Sequence, residues 1–377
     1  MTLTLAFRNL FHDRVRLAVT LVGILFAIVL IAVQLGLYMG ARQLIAATIE
    51  HADGDVWIMA YGTKNFEEAQ PINQRARFTA LAVPGVVKAT PLMTSFADWK
   101  RPDGGTSPTV VVGADPDDGG LVPWKIIAGN LTDIGTRDAV IIDESYLEDL
   151  GVSGIGDTAQ VNGNRVRIVG LTEGIRSFAT TPFIFTTLSR ARTLTGASPD
   201  QMSYVLIKVA PGFSAEAISE NLQQQLPDNQ VMTKSQFRAK SINHWMLATG
   251  AGVALIGGAI LGLIVGTVIV AQTLYSSTKD HLNEFATLRA LGSSTGYIHK
   301  VILTQAALSA ALGYALGMII AIGIVLLTDH LSLPLPIVMT PGLAALLFGL
   351  TLFMCAISAI AAISKVTRID PAMVFNR

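Results

Sequence analysis

The stretch LAVTLVGILFAIVLIAVQLGLYMGA, residues 17–41, contains 25 residues and no Lys, Arg, Asp or Glu. Three further uncharged stretches occupy residues 241–278, 301–328 and 331–364. A helix crosses the roughly 30 Å hydrocarbon core of a bilayer with about 20 apolar residues, because each residue rises about 1.5 Å. All four stretches are long enough to do so, and together they predict four transmembrane helices.

The composition of the 377-residue chain agrees with a membrane protein. Hydrophobic residues make up 51% of the chain and charged residues 14%, whereas soluble domains carry about 25% charged residues. The 27 basic residues are balanced by 27 acidic ones, which argues against a nucleic-acid partner because such proteins usually carry a basic excess. The single cysteine, Cys355, excludes an internal disulfide and a cysteine metal cluster.

The basic residues near the ends of the spans predict the orientation of the chain. If the N-terminus is cytoplasmic, the inner segments carry nine basic residues: Arg8, Arg14, Arg16, Lys279, Arg289, Lys300, Lys365, Arg368 and Arg377. The short outer loop, residues 329–336, carries none. Residues 42–240 do not count, because long domains are translocated largely regardless of charge. We therefore expect a multi-pass protein of the inner (plasma) membrane with both termini in the cytoplasm.

The predicted fold is an α-helical membrane protein with four transmembrane helices and a large mixed α+β extracytoplasmic domain between the first and second. The first span is residues 17–41, and the domain is residues 42–240. Residues 241–278 would measure about 57 Å as one helix, so they are expected to form a stalk as well as the second span. The remaining segments are an inner loop at 279–300, the third span at 301–328, an outer loop at 329–336, the fourth span at 337–364 and an inner tail at 365–377.

Within the domain, short apolar runs alternate with Gly, Pro and Asp, as is typical of mixed α and β structure. Strands are predicted at residues 56–59, 86–90, 109–113, 139–142, 158–161, 166–171 and 204–209. Asp143 and Gly151 should begin and end a short helix, and Ser214 should cap another that Pro227 closes. We expect two subdomains, one of residues 43–110 with 200–240 and an inserted one of residues 111–199.

The domain shows no pattern typical of a catalytic or metal site. Asp115, Asp117 and Asp118 lack the spacing and the final Glu of an EF-hand calcium loop, so a solvated turn is expected. His51 and His244 have no partners at metal-ligand spacing. Accordingly, neither catalytic residues nor metal ligands are predicted.

Rows of glycine at four-residue spacing predict close helix packing in the membrane. Such rows are Gly258, Gly262 and Gly266 in the second span, Gly313 and Gly317 in the third, and Gly36 and Gly40 in the first. Four spans are too few to build a pore alone, so a two-fold homodimer is expected. The row in the second span is the predicted packing surface between transmembrane helices of the dimer.

The inner loop, KDHLNEFATLRALGSSTGYIHK at residues 279–300, predicts a short amphipathic helix. Its apolar residues recur at helical spacing, Gly292 should end the helix, and Ser293 or Ser294 should cap the next one. Such a helix could dock into a cleft of another protein or lie on lipid headgroups. The loop is not strongly basic and its apolar face is small, which favours docking.

The run EFATLRALG, residues 284–292, resembles the coupling helix of permease subunits of MacB-like and FtsX-like ABC transporters. It is most similar to the DevC type, which has Phe-Ala-Thr where the other families more often have Ile-Gly-Ile. In these families an amphipathic helix leads into the first span. LAFRNL at residues 5–10 resembles it, so residues 1–16 of this chain are expected to form such a cytoplasmic helix. VTRIDPA at 366–372 resembles their tail, so the resemblance extends over essentially the whole chain.

The resemblance implies a division of labour between subunits. The helix formed by Glu284, Phe285, Leu288, Arg289, Leu291 and Gly292 would couple the permease to a cytoplasmic ABC ATPase. That ATPase, and not this chain, would bind ATP and magnesium. The sequence is consistent with this, because it contains no Gly-Lys pair and hence no phosphate loop.

The resemblance also implies a process at the outer side of the inner membrane, among the membrane lipids. One interpretation is export of an amphiphile, lipid or peptide with a periplasmic adaptor protein and an outer-membrane duct. The alternative is an FtsX-like mechanotransmission regulator that activates an extracytoplasmic cell-wall hydrolase. In both, this chain is not itself an enzyme.

Overall fold

The computed structural model describes residues 2–281, 284, 287, 294–330 and 336–366. The chain divides into two compact units, Met1–Gly40 with Gly252–Arg377 and Ala41–Ala251. We call the first the helical unit and the second the α/β unit. The helices are α1 Thr2–His12, α2 Arg14–His51, α3 Arg75–Leu81, α4 Leu147–Leu150, α5 Leu188–Thr195, α6 Ala215–Gln225, α7 Lys234–Asn243, α8 Ala251–Asp280, α9 Thr295–His330 and α10 Pro341–Val366.

Among the residues that the structure describes, four helices are long and apolar enough to cross a membrane. They cover Arg14–His51, Ala251–Asp280, Gly296–Thr328 and Pro341–Ser364, which confirms the four predicted helices and the position of the α/β unit between the first and second. Large side chains such as Phe26, Leu261 and Ile319 are exposed on their outer surfaces, as expected for helices that are apolar on all sides and face lipid.

Two clusters of small and branched side chains form the core of the helical unit. One joins Ile24 and Ile28 of α2 to residues of α8, α9 and α10, among them Cys355. The other contains Ala32, Ala259 and Leu343. Because lipid gives no hydrophobic drive for helix association, such close packing must hold the helices together.

The second uncharged stretch, residues 241–278, is not one continuous helix, whereas the predicted length of about 57 Å assumed one; the stalk stays a prediction. α7 ends at Asn243, a π-helical turn follows at His244–Ala248, and α8 begins at Ala251. Gly250 has a φ of +81°, a left-handed conformation that interrupts the helix and that glycine adopts most readily. In contrast, α2 continues as a helix to His51, well beyond the predicted end of the first span.

The α/β unit is built on a ten-stranded sheet. The strands are β1 Val56–Ala60, β2 Ile72–Asn73, β3 Val86–Lys100, β4 Thr106–Gly113, β5 Ile126–Gly129, β6 Ala139–Asp143, β7 Thr158–Val161, β8 Asn164–Thr172, β9 Phe183–Thr186, β10 Gln201–Met202, β11 Tyr204–Val209 and β12 Asn229–Thr233. The sheet order is β12-β1-β11-β3-β4-β9-β6-β8-β5, with β7 paired to β3 and β8, while β2 and β10 form a separate pair.

Strand β3 connects the two predicted subdomains. Its first half pairs with β11, with Leu92 opposite Tyr204, and its second half pairs with β4, with Met93 opposite Gly113. The sheet is therefore continuous, and its two halves meet within this 15-residue strand and not near residue 110 as predicted.

The predicted helix ends in this unit agree with the structure. Asp143 Oδ1 accepts a hydrogen bond from the Ser145 N–H at 3.2 Å, and Gly151 is left-handed with φ +66°. Ser214 caps α6 by accepting a hydrogen bond from the Ala217 N–H at 3.3 Å. These contacts satisfy backbone groups that the first and last turns of a helix leave without partners.

Candidate coupling site

The predicted coupling loop lies between α8, which ends at Asp280, and α9, which begins at Thr295. Of the predicted coupling residues, the structure describes Glu284, which is helical and exposed. Its carboxylate lies 3.1 Å from His281 Nδ1, one helical turn earlier. The other predicted coupling residues, Phe285, Leu288, Arg289, Leu291 and Gly292, lie outside the described residues.

The end of the loop is capped as the sequence predicts. The Ser294 hydroxyl oxygen accepts a hydrogen bond from the Tyr297 N–H at 3.3 Å. This is the contact of a serine that precedes the first helical residue. Of the two serines predicted to cap α9, Ser294 therefore has this role.

A cluster of charged residues, which we call the Arg16 junction, joins the start of α2 to the end of α8. It consists of Asp13, Arg16 and Asp280. Asp13 separates α1 from α2, and its carboxylate accepts a hydrogen bond from the Arg16 N–H at 3.1 Å. The Arg16 guanidinium also lies 3.5 Å from the Asp13 carboxylate and contacts the Asp280 carboxylate through Nη2. One cation thus lies between two anions, directly before the coupling loop.

Behind the Arg16 junction is a small polar cavity of about 20 Å³, which is room for about one water. Its polar lining outside the junction comprises Thr20, Thr273, Ser277, Gln305 and Ser309. The Ser309 hydroxyl is fully buried, and no described residue offers it a hydrogen bond. Buried hydroxyls normally have a partner, so water in the cavity would satisfy this one.

The glycine row of the second span packs against α2 of the same chain. The row is Gly258, Gly262 and Gly266. A Cβ atom on Gly258 would lie 2.6 Å from Gln34 Nε2, and one on Gly266 would lie 2.5 Å from Ala27 Cβ. A Cβ atom on Gly262 would lie 3.2 Å from Ile31 Cγ1. This corrects the predicted use of the row in a dimer, because α2 already covers the face that glycine opens.

The other glycine rows also contact α2 or lie on it. A Cβ atom on Gly313 would lie 2.4 Å from Ile24 Cγ2, and one on Gly317 would lie 3.0 Å from Ile28. Gly36 of α2 accepts a hydrogen bond at its carbonyl from the Val338 N–H at 3.1 Å. The first span is therefore the helix against which α8, α9 and the segment before α10 pack.

A buried polar cluster in the α/β unit has no counterpart in the sequence predictions. Glu67 is only 7% exposed, and its carboxylate accepts a hydrogen bond from the Ser177 hydroxyl at 2.6 Å. Burial raises the pKa of Glu67 to about 6. The Ser177 N–H donates to the Tyr146 hydroxyl at 3.2 Å. Glu67 and Ser177 are 110 residues apart, and no local sequence pattern could have paired them.

The segment that carries Ser177 is attached at both of its ends. The buried Asp143 carboxylate accepts hydrogen bonds from the Ile175 N–H at 2.7 Å and the Thr172 hydroxyl at 3.1 Å. Phe178 packs edge-to-face on Trp245, with ring centroids 5.2 Å apart. Residues 172–178 therefore connect the inserted part of the sheet to the π-helical turn that precedes α8.

The residues considered as metal ligands have structural contacts. Asp115 accepts a hydrogen bond from the Leu188 N–H at 3.1 Å, and His51 stacks on Trp124 with ring centroids 4.0 Å apart. Across the parts of the chain that the structure describes, no group of three or more His, Cys, Asp or Glu is placed to hold a metal ion.

Comparison with known proteins confirms the resemblance to the MacB-like and FtsX-like families. The family described as "MacB-like periplasmic core domain" matches residues 17–225, more than half of the chain. The family described as "FtsX-like permease C-terminal" matches residues 256–371, which include the predicted coupling loop. Neither match distinguishes the DevC type, which stays a prediction.

Two relatives match over nearly the full length of the chain, and a third matches less than half of it. An uncharacterised ABC transporter permease of Mycobacterium tuberculosis is 26% identical over 365 residues, which cover 96% of this chain and 95% of that protein. A second permease of that species is 24% identical over 377 residues, 98% of each chain. An uncharacterised ABC transporter permease of Methanocaldococcus jannaschii is 22% identical over 174 residues, which cover 45% of this chain and 43% of that protein.

Two solved structures are similar to part of the chain. The periplasmic region of MacB from Actinobacillus actinomycetemcomitans covers 51% of this chain and 94% of its own, with a TM-score of 0.37 and 13% identity. The extracellular domain of the noncanonic ABC-type transporter YknZ from Gram-positive bacteria covers 47% of this chain and 98% of its own, with a TM-score of 0.35 and 15% identity. These scores are too low to support a conclusion about function. On the family matches, the chain belongs to the ABC transporter permeases that combine a MacB-like periplasmic core domain with an FtsX-like permease C-terminal region.

Proposed function

We propose that this permease couples ATP hydrolysis by a separate cytoplasmic ATPase to motion of its α/β unit. The observation that carries the proposal is the position of the loop between α8 and α9. This loop lies inside the region matched by the FtsX-like permease family, and it presents the exposed Glu284. The chain has no phosphate loop of its own, so the nucleotide and magnesium would be bound by the partner.

In this proposal the loop faces the cytoplasm and the α/β unit lies outside the inner membrane. The excess of basic residues near the predicted inner ends of the spans supports this orientation. Closure of two ATPases around ATP would push the coupling loops of two permease copies. A rigid-body or hinge motion of this kind is a common way to transmit a local event.

The motion would drive export of an amphiphile, lipid or peptide from the outer side of the membrane, with an adaptor protein and an outer-membrane duct. The spans support a mechanism without a polar path through the bilayer, because the four uncharged stretches contain no Lys, Arg, Asp or Glu. Intramembrane charges commonly mark such paths in transporters. The large α/β unit would then be the part that acts on the cargo.

The experiment is co-purification of the full chain with each phosphate-loop ATPase encoded in neighbouring genes, followed by measurement of ATPase activity. We expect Glu284→Arg to leave the permease folded and inserted but to reduce both association and ATPase stimulation about tenfold, since a coupling free energy of 1–3 kcal/mol is usual. Glu220→Arg is the matched control, because Glu220 is exposed on α6 of the α/β unit. Unchanged association and stimulation in Glu284→Arg would contradict the docking of this loop.

A second measurement tests the cargo. The detergent-solubilised full chain is immobilised and incubated with the envelope fraction. The proteins and small amphiphiles that its α/β unit retains are then identified. An adaptor together with an amphiphile is the result expected for export. Retention of a cell-wall hydrolase or its activator would instead favour the mechanical regulator.

A further inference from the structure

The Arg16 junction connects the coupling loop to a helix that is distant in sequence. Arg16 lies in the first turn of α2, and Asp280 is the last residue of α8, 264 positions later. The loop begins at the next residue. Any displacement of the first residues of the loop must therefore act on the contact between Arg16 and Asp280.

The geometry holds the Arg16 side chain in place. Asp13 accepts a hydrogen bond from the Arg16 N–H, and its other carboxylate oxygen lies 3.5 Å from Arg16 Nε. The Arg16 side chain is 24% exposed, and the Asp13 and Asp280 side chains are 42% and 57% exposed, so water screens these contacts in part. A hydrogen-bonded guanidinium between two carboxylates is a firmer contact than a single exposed ion pair.

Polar side chains line much of the space behind the junction. The cavity behind it is lined by five hydroxyl or amide side chains, among them Thr273 and Ser277 on the last turns of α8, and also by Leu10, Leu17 and Leu274. Hydroxyl groups around a water-sized space pack less tightly than the branched side chains deeper in the helical unit. The charged contact therefore adds a directional restraint between the end of α8 and the start of α2 to the packing of these leucines.

The two helices that meet at the junction differ in their continuity. α2 is one uninterrupted helix from Arg14 to His51. α8 is separated from α7 by Gly250 and the π-helical turn. A push that reaches α8 alone would be absorbed in part at this break, because glycine permits large changes of backbone angle. A push shared with α2 would travel along an unbroken helix.

We infer that Arg16 and Asp280 are positioning residues of the coupling loop, which make the first turn of α2 and the last turn of α8 move as one body. This rests on the proposed function, since it assumes that an ATPase acts on the loop. Through the junction, α2 would transmit force from the loop, although the loop lies more than 200 residues later in the chain.

The first test measures the position of the loop without any ATPase. In a Cys355→Ala background, spin labels are placed at Glu284→Cys and at Ile319→Cys, an exposed position about 36 Å along α9 from its start. We expect a narrow distance distribution in this doubly labelled protein and a clearly broader one after Arg16→Gln or Asp280→Asn. Arg14→Gln is the matched control, because Arg14 is an exposed arginine of the same turn. A narrow distribution in Arg16→Gln would overturn the inference.

The second test asks whether the contact itself, and not the charges, carries the coupling. Arg16→Gln and Asp280→Asn should each retain ATPase binding but lose about fivefold of the ATPase stimulation, with an unchanged melting temperature. Arg16→Cys combined with Asp280→Cys should show the same loss, and a short thiol cross-linker should restore the stimulation. Loss of stimulation that the cross-linker does not restore would overturn the inference.

The two tests separate the inference from the function on which it rests. If the unmodified permease neither binds nor stimulates any ATPase, the proposed function fails, while the spin-label distances still decide whether Arg16 positions the loop. If the unmodified permease couples normally and Arg16→Gln couples equally well, the inference fails and the proposed function stands.

Discussion

Glu67 is a carboxyl group placed where a charge is costly. Its side chain is almost completely buried, and the groups around it are the Ser177 hydroxyl, the Glu68 carboxylate and the Tyr204 and Tyr146 rings. The Ser177 hydrogen bond stabilises the anion, but burial outweighs it and the pKa rises to about 6. The group is therefore protonated in mildly acidic surroundings and ionised at neutral pH.

This shift predicts a pH dependence of stability. The pKa of Glu67 is raised from 4.5 to about 6 in the folded chain, so its contribution is fully present below pH 4.5 and is lost as the pH rises through 6. The loss amounts to about 2 kcal/mol. We expect the free energy of unfolding of Glu67→Gln to increase by this amount relative to the unmodified protein between pH 4.5 and pH 7. The measurement is denaturant unfolding of both full-length proteins in detergent across this range. A difference that stays constant with pH would contradict the assignment.

The contacts of Glu67 also could not be predicted from the sequence. Asp143, Gly151 and Ser214 could be identified as helix ends because each acts on backbone groups within a few residues. The partner of Glu67 is 110 residues away, and its burial depends on the packing of two loops. Contacts of this kind can be identified only from the tertiary structure.

Among the elements, the long apolar helices could be predicted with most certainty and the short buried strands with least. β9, at Phe183–Thr186, is buried at every position and so lacks the alternation that marks a half-exposed strand. β12, at Asn229–Thr233, is short and polar, and its backbone is supported by Gln223. The Gln223 side chain accepts a hydrogen bond from the Val231 N–H at 2.9 Å and donates one to the Asn229 carbonyl at 2.8 Å. This side chain protects the edge of the sheet.

The glycine row of α8 leads to a prediction about helix packing. A Cβ atom on Gly266 would lie 2.5 Å from Ala27 Cβ, whereas one on Gly257 would meet nothing within 4 Å. We expect Gly266→Ala to lower the free energy of unfolding by 1–3 kcal/mol, as is usual for overpacking. Gly257→Ala, on the same helix, should be neutral or stabilising because alanine favours helix.

Thermal or denaturant unfolding of both variants in detergent, together with their oligomeric state, would check this. The structure places the row against α2, so the loss in Gly266→Ala should appear in stability and not in oligomerisation. Dissociation of an oligomer by Gly266→Ala at unchanged stability would restore the original interpretation of the row as a dimer surface.

The whole molecule divides its charges between two sides of the predicted membrane. The predicted inner segments carry nine basic and four acidic residues, and the remainder carries 18 basic and 23 acidic residues. The net charge of zero therefore conceals two opposite excesses. Translocation of basic residues near short loops is disfavoured, so the basic side is expected to stay in the cytoplasm.

This charge distribution predicts which residues are accessible from outside the cell membrane. In a Cys355→Ala background, we expect Asn130→Cys, on the exposed surface of the α/β unit, to react with a membrane-impermeant maleimide in intact spheroplasts. Glu284→Cys, in the coupling loop, should react only after the membrane is permeabilised. Each variant is the control for the other, because both positions are exposed and differ only in the predicted side. The opposite pattern would place the predicted coupling loop outside, where no ATPase could reach it, and would exclude the proposed coupling.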